Sequence, residues 1–594
     1  MPTKTLSKIY ETHISRFDGG ISDDVRQKSS NSFALSKHFN IFSSPNKLIP
    51  HRSTEADTHD GATSDGMKQY NVQNFQLGLD GKLYGLGRVA ATSCPKVVSK
   101  ANPISGNWTL ESTAQGTGAL IRGCFIEWQS AWWMFSGTTN VSKWTIGSTF
   151  TDTVGTVGTI TTVAQGIIGA DNNLYLFYNN KVVRVTPAGA VEDDVCSAIP
   201  SDMRITSVAR YGTYLAIGCA YGTSATATPS GRSQVYIWDM VTDETVSDVV
   251  DWGEGALMVL GNIEGRLVGV SDKYMSSTLG LLGGSMVVRM WGGGIPQVFK
   301  EIVSNQTVTI GRFIRDVVVK DNRMYWVASV PFGSSTSTES TFNLGIWAFG
   351  RKNRDSEFVL TLDFIEEGID TANFKINSFG NAGNYFFINH SADGSITKTD
   401  DTANYTFTSV YESQKFGDGK QNKKLIGVNV TTEFLPAAGQ VKLKYKKNEE
   451  TSWTQIFVHT TDNSLSHSAI NIESYSTAVT MTIATPAVVT LASHGLVAGQ
   501  IIRFNTTGAL PTGVTAGANY YVLSTSLATD TFRFSATLEG TAVNTTGSQS
   551  GVHTIDRTTT LPTYKEIQLR IESVGNAEVT GLRFQYEELS DDIF

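Results

Sequence analysis

Charge is scarce in this chain. Of its 594 residues only 17% are Asp, Glu, Lys or Arg, against roughly 25% in an ordinary soluble domain. The balance is acidic, 55 carboxylates to 47 basic side chains for a net charge of -8, which argues against the basic stripe of a general nucleic-acid binder. With 40% hydrophobic residues, intrinsic disorder is excluded as well. Cysteine is rare: Cys94, Cys124, Cys196 and Cys219 are far apart and form no CxxC, so neither a zinc ribbon nor a redox dithiol is supported. Buried free thiols in a protein made in a reducing cytoplasm are expected instead. No apolar run approaches the roughly 20 residues of a membrane span, and the first 15 residues hold no signal-type apolar core.

Motifs of chemistry are missing too. None of the histidines at 13, 38, 51, 59, 390, 459, 467, 494 and 553 stands in a metal-ligand spacing such as HExxH. There is no GxSxG elbow, no P-loop and no GxGxxG opening a helix. Asp57-Thr58-His59-Asp60-Gly61 lacks the spacing and closing Glu of a calcium loop and reads as a solvated loop. Ser391-Ala392-Asp393-Gly394-Ser395 reads as a hairpin turn. Nothing selects two carboxylates for glycoside hydrolysis. The expectation is therefore no catalytic, cofactor-binding or metal residue, no cofactor, and no enzyme.

Helical periodicity is almost absent as well, and what replaces it is a repeat. From about 71 to 413, short runs of β-branched and aromatic residues recur between Gly, Asn and Asp turns. The first copy turns at Asp80-Gly81, a tight hairpin signal because both positions favour positive φ. The cleanest reads Leu174-Tyr175-Leu176-Phe177-Tyr178, Asn179-Asn180, Lys181-Val182-Val183-Arg184-Val185. Seven copies at roughly 40–50 residues have the period of four-stranded blades. The fold class expected is all-β: a seven-bladed β-propeller followed by a β-sandwich that carries an inserted small β domain. Trp132, Trp133, Trp238, Trp291, Trp326 and Trp347 fall at equivalent strands, so core packing is favoured over a sugar-stacking platform.

Beyond the seventh copy the period becomes two. Val441, Leu443 and Tyr445 alternate with Lys442, Lys444 and Lys446, and Ile567, Leu569 and Ile571 alternate with Gln568 and Arg570, the pattern of an antiparallel sheet with one wet face. The lysine stripe, with Lys447, reads as the solvated face of an edge strand. A Thr-, Ala- and Val-rich stretch interrupts this pattern. The expected division is an N-terminal arm at 1–66, the propeller at 67–410, the sandwich at 411–476 and 556–594, and the inserted module at 477–555. The arm, polar and without a period, is expected to order on a partner, its 33–42 run adding a strand to another sheet.

Three stretches carry a resemblance. Gly19-Gly20-Ile21-Ser22, followed by Pro45-Asn46-Lys47-Leu48-Ile49-Pro50, resembles the opening of tailed-bacteriophage structural proteins, including the tail nozzle class of short-tailed phages, which also carry a propeller. The insert is similar to a small β module of phage tail, baseplate and fibre proteins, through His494-Gly495-Leu496, Gly499, Leu510-Pro511-Thr512-Gly513, Tyr520-Tyr521-Val522 and Thr531-Phe532. Ile567-Gln568-Leu569-Arg570-Ile571-Glu572 and Gln585-Tyr586-Glu587 resemble the domain that follows such propellers. The resemblance implies a scaffolding component of the virion, in or attached to the tail. Its expected partners are other tail proteins and further copies of itself, with no membrane and no specific nucleic acid. The alternative is a receptor-binding propeller of fibre or tailspike type, whose partner is a host surface glycan.

Overall fold

A computed structural model describes residues 9–19, 32–57, 72–87, 96–111, 120–136, 138–148, 150–221, 231–274, 284–303, 313–330, 343–365, 376–390, 396–399, 405–460, 465–470, 475–496, 498–537, 539–557 and 561–589. Gly20-Ile21-Ser22, Cys94, Thr58 to Gly61 and Ser391 to Ser395 lie outside them. The chain divides into two compact units, 52–404 and 1–51 with 405–594.

The first unit is a seven-bladed propeller of four-stranded antiparallel blades. Blade 1 is Gln73–Leu77, Leu83–Gly87, Lys96–Lys100 and Trp108–Leu110. Blade 2 is Leu120–Trp128, Ala131–Ser136, Asn140–Thr145 and Phe150–Thr156, and blade 3 is Val163–Ile168, Leu174–Tyr178, Lys181–Val185 and Val191–Glu192. Blade 4 is Met203–Tyr211, Tyr214–Tyr221, Arg232–Trp238 and Asp248–Glu254, and blade 5 is Ala256–Ile263, Arg266–Tyr274, Gly284–Trp291 and Gln297–Val303. Blade 6 is Phe313–Lys320, Arg323–Val330, Asn343–Gly350 and Val359–Ile365. Blade 7 takes three strands in order, Ile376–Ala382, Tyr385–His390 and Ile396–Thr399, and its fourth, Thr54–Ala56, from the N-terminal segment.

Each blade is apolar on both faces because each is covered on both sides. Its second strand is therefore a continuous buried run, as in Leu174–Tyr178 and Ala131–Ser136. Tyr84, Leu86 and Val97 of blade 1 share one core with Phe125, Trp132, Met134 and Trp144 of blade 2. The ring closes in the same way: Phe75, Leu83, Val98 and Trp108 of blade 1 pack on Ala382, Phe387 and Ile396 of blade 7. At this seam a Cβ on Gly380 would meet the Phe75 carbonyl oxygen at 2.5 Å, so glycine sets how closely the two inner strands approach. Every inner strand breaks register with its second strand, between Gln73/Gln76, Leu120/Phe125, Ala164/Ile167, Ile205/Ser207, Leu257/Val259, Phe313/Val317 and Ile376/Ser378. Such bulges add local twist, which turns each blade from the axis toward the rim.

The second unit holds the sandwich. One sheet runs Ile9–Ile14, Val579–Glu588, Lys423–Thr432, Ser466–Ile470. The other runs Phe33–Lys37, Ser409–Ser413, Glu566–Val574, Gln440–Lys447, Thr454–His459. Their facing sides bury Leu425, Val428, Val430, Leu582 and Phe584, and Val441, Leu443, Leu569 and Ile571. Phe416, paired in the second sheet, meets Phe584 of the first edge-on at 4.9 Å.

Two readings of the N-terminal segment are corrected here. The described parts of 1–66 are not an arm awaiting a partner, because Ile9–Ile14 pairs with Val579–Glu588 and Thr54–Ala56 completes blade 7. Phe33–Lys37 does add a strand to a sheet, but the sheet is this chain's own, beside Ser409–Ser413. Phe17 is fully buried, edge-on to Tyr411 at 5.3 Å, and donates its N–H to the Pro45 carbonyl. The segment looked coreless because its partners lie hundreds of residues downstream.

The module inserted in the sandwich has its own core of Val479, Met481, Val489, Ile502, Phe504, Tyr520, Val522, Phe532, Phe534 and Ile555. Tyr475–Met481 and His553–Arg557 pair antiparallel, so the module leaves beside where it enters. Thr531–Phe532 pairs with Val489–Thr490 at one edge of the sheet, and Phe534–Ser535 pairs with Asn519–Val522 at the other. One short segment thus joins both edges and closes the sheet into a small barrel.

Candidate interaction sites

The inner strands of blades 3 to 6 surround a cavity of about 610 Å³. Its polar lining is Gln165, Arg210, Asn262 and Glu264, and its apolar lining includes Ile167 and Val319. The Asn262 amide donates to the Arg210 carbonyl at 2.8 Å and accepts the Gly265 N–H at 3.0 Å. The Glu264 carboxylate is paired with Arg351, which holds it below its ordinary pKa. Among the described lining residues Glu264 is the one carboxylate, so the paired acids of glycoside hydrolysis, roughly 5–9 Å apart, do not meet here. What the lining can do is hydrogen-bond a small polar group.

Several residues singled out from the sequence take other roles. Asp57 is not in a solvated loop: it is 2% exposed, accepts the Trp108 indole N–H at 2.6 Å, and pairs with the Lys100 ammonium. A carboxylate so placed is committed to a buried cation rather than free for calcium. The tryptophans Trp132, Trp238, Trp326 and Trp347 are fully buried, with Trp133 and Trp291 nearly so, which leaves no platform for sugar stacking.

The lysine stripe is corrected as well. Gln440–Lys447 is an interior strand, paired on one side with Glu566–Val574 and on the other with Thr454–His459. Three of its four cations are met within the chain. Lys442 reaches Glu539 at 3.3 Å, Lys444 reaches Glu572 at 2.7 Å, and Lys446 lies 4.7 Å from the Trp453 ring centre. Cys124, Cys196 and Cys219 are buried free thiols, and burial pushes the Cys124 thiol up to about 12.

No family model and no curated protein matches the chain. Among solved structures it is similar to an exo-beta-1,3-galactanase from Phanerochaete chrysosporium, at 8% identity over 91% of this chain and 100% of that one, TM-score 0.25. BamB from Moraxella catarrhalis matches 66% of this chain over 99% of its own, at 10% identity and TM-score 0.35. The WD40 domain of Toxoplasma gondii coronin matches 62% of this chain over 86% of its own, at 9% identity and TM-score 0.35. The exclusion of enzymatic activity drawn from missing motifs is thereby overturned, since a glycoside hydrolase is among the chains aligned along most of this one. The likeness, at such low identity, assigns no reaction.

Proposed function

We propose that the chain is a structural subunit of a tailed phage virion, in or attached to the tail, where it joins other tail proteins and further copies of itself. The observation that carries this reading is the barrel module. The residues by which it resembles phage tail modules are the ones that build it. Phe532 is buried in its core, where it meets the His494 ring at 5.2 Å. His494 also accepts the Leu496 N–H through Nδ1 at 2.9 Å, and Tyr520 accepts the Thr515 N–H through its hydroxyl at 2.8 Å.

The propeller adds a surface suited to subunit contacts. In a four-stranded meander the first and third turns lie at the same end of the blade. Leu79 in the first turn of blade 1 is 89% exposed, and in the third turns of blades 4 and 5 Val241 is 77% and Ile295 86% exposed. These apolar side chains stand at turn tips on one end of the ring, where a neighbouring subunit would cover them. The test is genetic. With the coding sequence deleted from the phage, particles should have incomplete tails and fail to infect, and peptide mass spectrometry should find the chain in purified wild-type virions. Its absence from purified virions would overturn the proposal.

A further inference from the structure

A second cavity, of about 400 Å³, lies between the barrel module and the sandwich. Gln440, Val458 and Thr460 form its sandwich wall, and the 522–525 segment with Arg533 and Glu539 forms its module wall. Arg533 stands at the one residue that separates the two edge pairings of the barrel. Its neighbours Phe532 and Phe534 point into the core, so strand alternation sends its side chain outward, and it lines the cavity.

The charges of the cavity do not balance. Glu539 accepts from the Gln440 amide at 3.2 Å and from the Lys442 ammonium at 3.3 Å, so that carboxylate already has its cation. Arg533 enters no ion pair among the described residues, and its Nε is buried without a hydrogen-bond partner. A guanidinium that lines a cavity with no counter-charge paired to it favours an anion there, because a charge-assisted hydrogen bond to a carboxylate is the stronger kind. Around it stand neutral groups that both donate and accept, the Gln440 amide and the hydroxyls of Thr460, Ser524 and Thr525, beside the apolar Val458 and Val522. One guanidinium, several hydroxyl partners, a modest apolar wall and room for one or two sugar rings fit a saccharide that bears a carboxylate.

We propose that this cleft binds an acidic glycan, its carboxylate on Arg533 and its hydroxyls on Gln440, Glu539 and the Ser524-Thr525 edge. An acidic peptide, which lacks the ring of hydroxyls, would leave most of that lining unused. The inference does not depend on where the chain sits in a particle.

The purified full chain is tested against an array of oligosaccharides containing uronic or sialic acids, their neutral counterparts, and poly-glutamate. Any acidic ligand found is then titrated by calorimetry. The expected result is selective binding of an acidic glycan, weakened about 10- to 100-fold by Arg533→Gln and partly kept by Arg533→Lys, with melting temperatures unchanged. No acidic glycan bound, equal binding by Arg533→Gln, or preference for poly-glutamate would each overturn it.

Discussion

Asp316 shows how one side chain can make the propeller sensitive to pH. It lies on the inner strand of blade 6, and burial pushes its carboxyl up to about 6, although the Phe379 N–H of blade 7, donated at 2.9 Å, pulls the other way. The folded state therefore prefers the neutral acid, whereas the unfolded chain ionises near 4. Below that value both states are protonated and nothing is lost. As pH rises from about 4 through 6 the unfolded chain releases its proton first, and stability falls. A shift of about two units corresponds to about 3 kcal/mol. Urea denaturation at pH 4 to 7 should show the wild type losing about that much relative to Asp316→Asn, and parallel curves would refute the assignment. His467 of the sandwich acts in the opposite sense. Burial lowers its pKa to about 4, so its contribution is lost as pH falls from about 6.5 through 4. It is common to both proteins and cancels in the comparison.

At the scale of elements, most strands legible in the sequence are largely buried, although Val359–Ile365, buried throughout, was not read. Leu174–Tyr178 and Lys181–Val185 fall where their residue pattern places them, because a strand covered on both faces writes itself as an apolar run. The fourth strands of the blades were not read. Phe150–Thr156 alternates between exposed and half-buried, and Val191–Glu192 is only two residues long, so neither carries an apolar signature. Ile9–Ile14 has the same half-exposed character, yet it covers the edge of Val579–Glu588, with Tyr10 stacked on Tyr586 at 5.4 Å and Glu11 paired with Arg583 at 2.6 Å. Cross-strand pairs contribute roughly 0.2–1 kcal/mol each. Removing residues 1–15 should thus cost the sandwich about 1–3 kcal/mol and speed hydrogen exchange along Val579–Glu588. Unchanged exchange in that strand would mean that the pairing adds nothing.

For the whole propeller the deciding event is closure of the ring, and a buried ion pair sits at it. Asp57 directly follows the strand Thr54–Ala56 of blade 7, while its partners Lys100 and Trp108 belong to the third and fourth strands of blade 1. Both charges are fully buried, where loss of one partner typically costs about 3–5 kcal/mol because the other is left uncompensated. Lys100→Met should lower propeller stability by about that amount, and Asp57→Asn with Lys100→Met should lose less than Lys100→Met alone. Urea unfolding followed by tryptophan fluorescence reads this, and a Lys100→Met protein as stable as wild type would remove the clasp from the account.

The all-β class, the blade repeat and the alternation of the sandwich were all present in the sequence, because each is a local pattern set by which side of a strand meets water. The partners of Asp57 and Ile9–Ile14, and the cavity wall that Arg533 joins, were not. They are chosen by contacts across tens to hundreds of residues, and no short stretch of sequence records which distant carboxylate, cation or strand edge it will meet. The lysine stripe shows the same division. Its alternation announced a strand with one polar face, but only the packed sheet decided that the strand is interior and that three of its cations are answered by Glu539, Glu572 and Trp453.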